Sequence, residues 1–158
     1  MAAKVIPIKE WLTTFRAAAE ELAKASLRFD PNSPIVHDET PSPSGAYIAI
    51  LSEKNSVHLG LCASPSQCRA LARGLLGIRH GEELSDRDVV DGVSEVMNII
   101  AGKVKSQMAG RDGQLQLGLP MFIAQPIQPA GDMETTEADV KLGPVDAKLL
   151  VYRRKRAA

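Results

Sequence analysis

Between residues 7 and 29, Ile8, Trp11, Leu12, Phe15, Ala19, Leu22 and Ala25 recur every three or four positions, with Lys9, Glu10, Arg16, Glu20, Glu21 and Lys24 between them. That spacing predicts an amphipathic helix, and Pro7 is tolerated in a first turn, where its missing N–H has no partner to lose. The next stretch carries Pro31, Pro34, Pro41 and Pro43, leaving room for at most a short edge strand around Ile35 and Val36. Residues 46–51 and 56–62 then read as two strands joined by the polar turn Ser52-Glu53-Lys54-Asn55. Ser64-Pro65 is placed to cap a helix through Cys68, Leu71, Ala72, Leu75 and Leu76, and Gly77 to end it.

The longest helical pattern begins after Ser85. With Asp88 three residues on, Ser85 forms a capping-box signature, and the helix is expected to run from there to about Met108. Beyond Gly113, residues 115–117, 121–127, 140–142 and 149–152 read as strands. Pro120, Pro126, Pro129 and Pro144 assign some of them to bulges or sheet edges.

At 100° per residue the long helix sorts into two faces. Val89, Val93, Val96, Met97, Ile100, Val104 and Met108 form a broad apolar side, while Asp88, Asp91, Glu95, Asn98, Gly102 and Lys105 rise in one polar file. Asp91 and Glu95 are like charges at i, i+4, which costs about a few tenths of a kcal/mol. Gly102 in a helix interior costs about 0.8–1.0 kcal/mol relative to Ala. Ile99 falls at the margin of the polar file, beside Glu95. A small and an apolar residue flanking a carboxylate and an amide suit a surface that another molecule approaches closely, although three carboxylates near a helix start also suit the macrodipole of a solvated helix. The pattern alone leaves both readings open.

Composition narrows the classes. At 158 residues the chain is about one domain's worth, and we expect a single domain over residues 1–158, with 153–158 as a basic, frayed tail. Nineteen Lys plus Arg balance nineteen Asp plus Glu, which argues against a nucleic-acid binder working through a broad basic field. The six aromatic residues are scattered and form no stacking platform. No apolar run approaches the ~18 residues of a membrane span, so the expected setting is soluble and cytoplasmic. Cys62 and Cys68 lack the spacing of a zinc site and read as core thiols. His37, His58 and His80 have no Ser or Cys partner at informative spacing.

One arrangement is more specific. Asp91, three residues, Glu95, two residues, Asn98, and twenty-one residues to Pro120 resembles the signature of the CheC, CheX and FliY family of chemotaxis phosphatases at all four positions. Ala101-Gly102-Lys103 follows the Asn as in CheX-type sequences. Only one Glu-xx-Asn element is present, whereas CheC and FliY carry two, and the chain is too short for the extra flagellar-switch domain of FliY. It is therefore most similar to CheX, although Ser94-Glu95-Val96-Met97-Asn98 stands where Gly-Glu-Leu-Gly-Asn is usual.

The resemblance implies an α+β fold: a mostly antiparallel sheet packed against an N-terminal helix and a long central helix bearing the motif. It implies a phosphatase acting on the aspartyl phosphate of a CheY-type response regulator, with a homodimer formed by joining sheets. Asn98 would orient the attacking water, and Glu95 would pair with the regulator's active-site Lys. Asp91, Ile99 and Gly102 would contact the partner, and Pro120 would be structural. No cofactor of its own is implied, since the regulator supplies Mg²⁺. The alternatives are a non-catalytic module of the same fold that docks a receiver domain, and a metal enzyme built on Asp88, Asp91 and Glu95, whose three carboxylates on one exposed helix make a poor enclosure.

Overall fold

A computed structural model describes residues 3–32, 34–36, 38, 43–79 and 81–155. Its elements follow in the order α1 (Ile8–Ser26), β1 (Ser44–Leu51), β2 (Val57–Ala63), α2 (Pro65–Leu76), α3 (Asp86–Met108), β3 (Gln116–Leu117), β4 (Met121–Ile123), β5 (Met133–Leu142) and β6 (Val145–Arg154). The strands form one antiparallel sheet in the order β3-β1-β2-β6-β5, with β4 also beside β1. The expected α+β class is what the chain adopts.

Strand alternation explains the layers. Ala46, Ile48 and Ile50 of β1 sit opposite Leu61, Leu59 and Val57 of β2, and Leu149 and Val151 of β6 continue the same face. All are buried in a core shared with Trp11, Phe15 and Leu22 of α1, Leu71 of α2 and the apolar side of α3. The intervening residues Tyr47, Leu150 and Tyr152 point to the other face and form a second, smaller cluster. Ile127, in the connection from β4 at one edge of the sheet to β5 at the other, packs on that cluster, so the connection crosses the outer face as a strap.

Several boundaries differ from the sequence reading. Helix α1 stops at Ser26, because Leu27 turns extended and is buried. Residues 34–36 form no strand. The run at 121–127 is strand only to Ile123. The last two strands form a hairpin of ten residues each, far longer than their apolar runs, since the outer positions of β5 are the polar Thr135, Glu137, Asp139 and Lys141. The N-terminus of α2 is not capped by the side chain of Ser64. Instead the Asp38 carboxylate accepts from the Ser66 N–H at 3.2 Å and the Ser66 hydroxyl at 2.5 Å. Gly77 does end α2, in the left-handed conformation that favours glycine (φ 68°), and donates its N–H to the Arg73 carbonyl.

The basic tail also needs correction. Arg153 and Arg154 belong to β6, and the Arg153 side chain is only 14% exposed. Its guanidinium donates to the Ile6 carbonyl at 2.6 Å and to the Glu134 carboxylate at 3.0 Å, joining the strand end to the segment before α1. The Lys155 N–H donates to the Asp132 carbonyl. Arg156, Ala157 and Ala158 lie outside the described residues.

Pro120 marks an interruption of one sheet edge. β3 pairs with Ile50 and Leu51 while β4 pairs with residues 45–47, so residues 118–120 face only Ile48 and Ala49, a one-residue bulge. The Gly118 N–H still reaches the Ala49 carbonyl at 2.8 Å, and Pro120, with no N–H to donate, fits a place where the ladder is already broken.

A buried polar knot closes the opposite end of the β1–β2 hairpin. The fully buried Asn55 accepts the Ile6 N–H at 2.7 Å and donates to the Lys4 carbonyl at 3.0 Å and the Asp112 carboxylate at 2.9 Å. Asp112 also accepts from the Ser52 hydroxyl and the Gln114 N–H, and these donors hold its carboxyl below the usual Asp range. Replacing Asn55 strands the Ile6 N–H and an Asp112 oxygen. We expect Asn55→Ala to lower unfolding free energy by about 1–3 kcal/mol in urea titrations. Because the folded carboxyl titrates below the unfolded one, the Asp112 contribution is complete above the unfolded pKa of about 3.9 and is lost as pH falls through the folded value. The acid limb of stability against pH is accordingly expected to be shallower in Asp112→Asn.

Candidate functional site: the outer file of α3

The start of α3 is set by its own sequence. Ser85 Oγ accepts the Asp88 N–H at 3.0 Å, and the Asp88 carboxylate accepts the Ser85 N–H at 3.0 Å, completing the capping box. These hydrogen bonds hold the Asp88 carboxyl below its ordinary range. Leu84 and Val89, immediately before the cap and one turn into the helix, are both buried in the core, the positions of a hydrophobic staple.

Rotation of the helix about its axis is fixed by what it buries. Every residue assigned above to the apolar side is buried, together with Gly92 and Ala101. Gly92 is where α2 crosses: a β-carbon there would stand 2.7 Å from Cβ of Ala72. On the α1 side, Lys103 Nζ reaches Glu21 at 3.2 Å. At the C-terminal end, the Met108 carbonyl accepts from the N–H groups of Arg111 and Asp112, tying the helix to the polar knot. Sequence reading passed over Gly92, although a glycine on the boundary of an apolar face is a signal of close helix packing.

The file then points away from the core. Asp91 and Glu95 are exposed, and Asn98, Gly102 and Lys105 are partly so. Ile99, beside them, is half-buried and packs on the core edge, so part of an apolar side chain remains at the rim of the file. Gly102 differs from Gly92: a β-carbon there would meet nothing within 4 Å. Among the described residues, no packing requires a glycine at that position. Ser94 is partly buried and Met97 fully buried, so both lie off the file. Pro120 sits at the sheet-edge bulge, not on this helix.

The three carboxylates have different surroundings. Asp88 is engaged by the cap and Asp91 faces Arg87 across 3.8 Å at the surface, while Glu95 has no ion pair or hydrogen bond among the described residues. No group of three or more His, Cys, Asp or Glu is placed to hold a metal ion among the described residues. Neither Glu95 nor Asn98 lines the cavities of about 670, 520 and 650 Å³ found among the described residues. The file is a ridge and cannot enclose a small substrate. An exposed carboxylate and a partly exposed amide three residues apart can instead enter a recess on a second macromolecule.

The described histidine and the two cysteines belong to the packing of the sheet and its helices. His58 stacks on Tyr152 with centroids 4.8 Å apart, and burial lowers its pKa, while His37 and His80 lie outside the described residues. Both cysteines are free. Cys68 is buried with its thiol pKa pushed up to about 11, chiefly by burial, and Cys62 lies 3.0 Å from the Tyr47 hydroxyl on the outer face.

The family model described as chemotaxis phosphatase CheX matches residues 45–129, more than half of the chain and the whole span from Asp91 to Pro120. The chain belongs to the CheX family of chemotaxis phosphatases. Solved structures agree with the CheX fold. A putative chemotaxis protein from Desulfovibrio vulgaris Hildenborough superposes with a TM-score of 0.67 at 20% identity, over 91% of this chain and 97% of its own. CheX from Vibrio vulnificus gives 0.65 at 15% identity, over 94% and 99%. CheX in a CheX-CheY-BeF3-Mg complex from Borrelia burgdorferi gives 0.60 at 14%, over 92% and 98%. No curated protein matches the chain in sequence. No helix among the described residues is long and apolar enough to cross a membrane.

The two glycines of the CheX motif helix should respond oppositely to the same change. Gly102→Ala adds a side chain into open space and is expected to stabilise by up to about 1 kcal/mol. Gly92→Ala forces an overlap with Ala72 and is expected to destabilise, since overpacking costs about 1–3 kcal/mol. Urea denaturation of the two variants against the parent protein reads both signs.

Proposed function

We propose that this protein accelerates hydrolysis of the aspartyl phosphate on a CheY-type response regulator. The observation that carries the reading is the placement of Glu95 and Asn98 together on the outward file of a helix whose other side is fully seated, at the family spacing. The Borrelia burgdorferi relative, solved with CheY, BeF3 and Mg, supports a CheY-type partner.

An acyl phosphate is already activated, so hydrolysis needs mainly a water in line with the leaving carboxylate oxygen and neutralised phosphoryl charge. Water attacks phosphorus, the P–O bond to the aspartyl carboxylate breaks, and inorganic phosphate leaves. Asn98 orients that water, since an amide both donates and accepts without adding negative charge beside the phosphoryl oxygens. Its amide has no useful basicity, so it positions the water and does not deprotonate it. Glu95, free of partners within the described chain, pairs with the regulator's active-site Lys. Mg²⁺ comes with the regulator, and the reaction takes place in the cytoplasm with it.

The neighbours on the ridge support docking. Gly102 leaves space for the partner's backbone, Ile99 offers an apolar rim, and Asp91 adds a polar contact one turn before Glu95. Pro120 acts through the edge bulge and not at the reacting atoms. For the homodimer, β5 is the suitable seam: among the described residues its outer edge is unpaired over ten residues, whereas the β3–β4 edge is broken at 118–120.

A panel of receivers carrying labelled aspartyl phosphate tests the reading. Asn98→Ala is expected to leave unfolding free energy within about 0.5 kcal/mol, as a surface change should, and to cut stimulated dephosphorylation at least tenfold. Gly102→Leu should stay folded and lose regulator binding. Unchanged turnover by Asn98→Ala would sink the mechanism. Binding of the phosphorylated receiver without loss of label would identify a non-catalytic docking module instead.

A further inference from the structure

A cavity of about 670 Å³ lies away from the α3 file, at the outer side of α2. That is within the roughly 300–1,000 Å³ typical of small-molecule sites. Its apolar portion is built around Phe29, the residue just past the extended turn that ends α1. A β-carbon at Gly74 would lie 2.9 Å from one edge of the Phe29 ring, and one at Gly143 would lie 2.5 Å from the other. Two glycines on separate elements thus form a slot for this ring, and the Arg28 N–H donates to the Gly74 carbonyl at 2.9 Å. Ala70 and Ile78 extend the apolar lining.

The rest of the lining is cationic. Among the described residues, Arg28, Arg69, Arg73 and Arg79 line the cavity against Asp30 and Glu82, a formal surplus of two positive charges before Arg69 is paired with Asp86. Two of the guanidiniums shape the wall. Arg69 donates to the Asp86 carboxylate at 2.8 Å, and Arg73 donates to the carbonyls of Arg79 and Glu82 at 3.2 Å each. The side chains of Arg28 and Arg79 have no hydrogen-bond or ion-pair partner among the described residues. Unpaired guanidiniums and an apolar lining in one cavity match an anion that carries an apolar body, and the planar fork of a guanidinium suits phosphate oxygens.

We propose that this cavity binds a small organic phosphate of the nucleoside monophosphate kind. The dianionic phosphate lies on the two unpaired guanidiniums of Arg28 and Arg79, while the nucleoside covers the apolar lining around Phe29. The site is independent of Glu95 and Asn98, and its binding needs no phosphatase activity.

Calorimetric titration of the full chain with AMP, GMP and UMP tests this directly, with adenosine and inorganic phosphate as separate arms. At least one nucleotide is expected to saturate at one site per chain, with adenosine and phosphate each at least tenfold weaker. The double variant Arg28→Ala/Arg79→Ala is expected to lose at least tenfold in affinity, and Lys4→Ala, at the opposite end of the sheet, to bind as the parent does. Raising salt from 50 to 500 mM should weaken binding to the unaltered protein, which tests the charge contribution even where the double variant fails to fold. No saturation by any nucleotide, equal binding of adenosine, equal binding of inorganic phosphate, or salt-independent affinity would each overturn the proposal.

Discussion

The rotational setting of α3 is the constraint on which the rest depends. Val93, Val96, Met97, Ile100 and Val104 are wholly buried, and Gly92 lets Ala72 of α2 approach the helix backbone. Rotating the helix by one residue, about 100°, would bring Glu95 or Asn98 toward the core and drive an apolar residue outward. Burial of a charged side chain without a partner costs far more than any contact it could gain on the surface. The core therefore sets the aim of the polar file without touching it, and the capping box at one end and the Met108 carbonyl at the other fix where along the axis that file begins and stops.

The sheet beneath has unlike faces. One carries the helices and the main core, and the other holds the Tyr47, Leu150 and Tyr152 cluster beneath the strap that runs from β4 to β5. Long-range polar ties then fasten segments distant in sequence. Asn55 joins the chain before α1 to the β1–β2 turn and to the end of α3, while Arg153 joins the last strand to Ile6. The N-terminal segment is thus held by two separate side chains, and through Asp112 the motif helix shares one of these anchors.

Periodic signals were readable in the sequence, and partner-dependent ones were not. The bounds of α3, its cap and its apolar face follow from residues close along the chain, where Ser85, Asp88 and the Val and Ile spacing act locally. Only the end of β5, residues 140–142, was read as strand, because the rest of an edge strand with an exposed outer face has a polar pattern. Asp38 capping α2 and Arg153 bridging to Ile6 are contacts across distances that no local pattern encodes. The site was legible as a file because helical geometry alone aligns Asp91, Glu95, Asn98 and Gly102. Gly92 and Gly102 stand on different faces of one helix, and the contact at the first and the clearance at the second become definite only with the neighbours that three dimensions supply. The arginine-lined cavity was invisible for a similar reason, as its walls come from α2, the turn after it and the chain following α1.

The bulge at residues 118–120 has a consequence for assembly. A sheet with two open edges can add copies head to tail without end, the route to fibres. Here one margin is interrupted by an extra residue and a proline, which leaves β5 as the uninterrupted margin. Two such margins placed antiparallel would use each other up, so growth of the sheet through β5 would close at a pair with twofold symmetry.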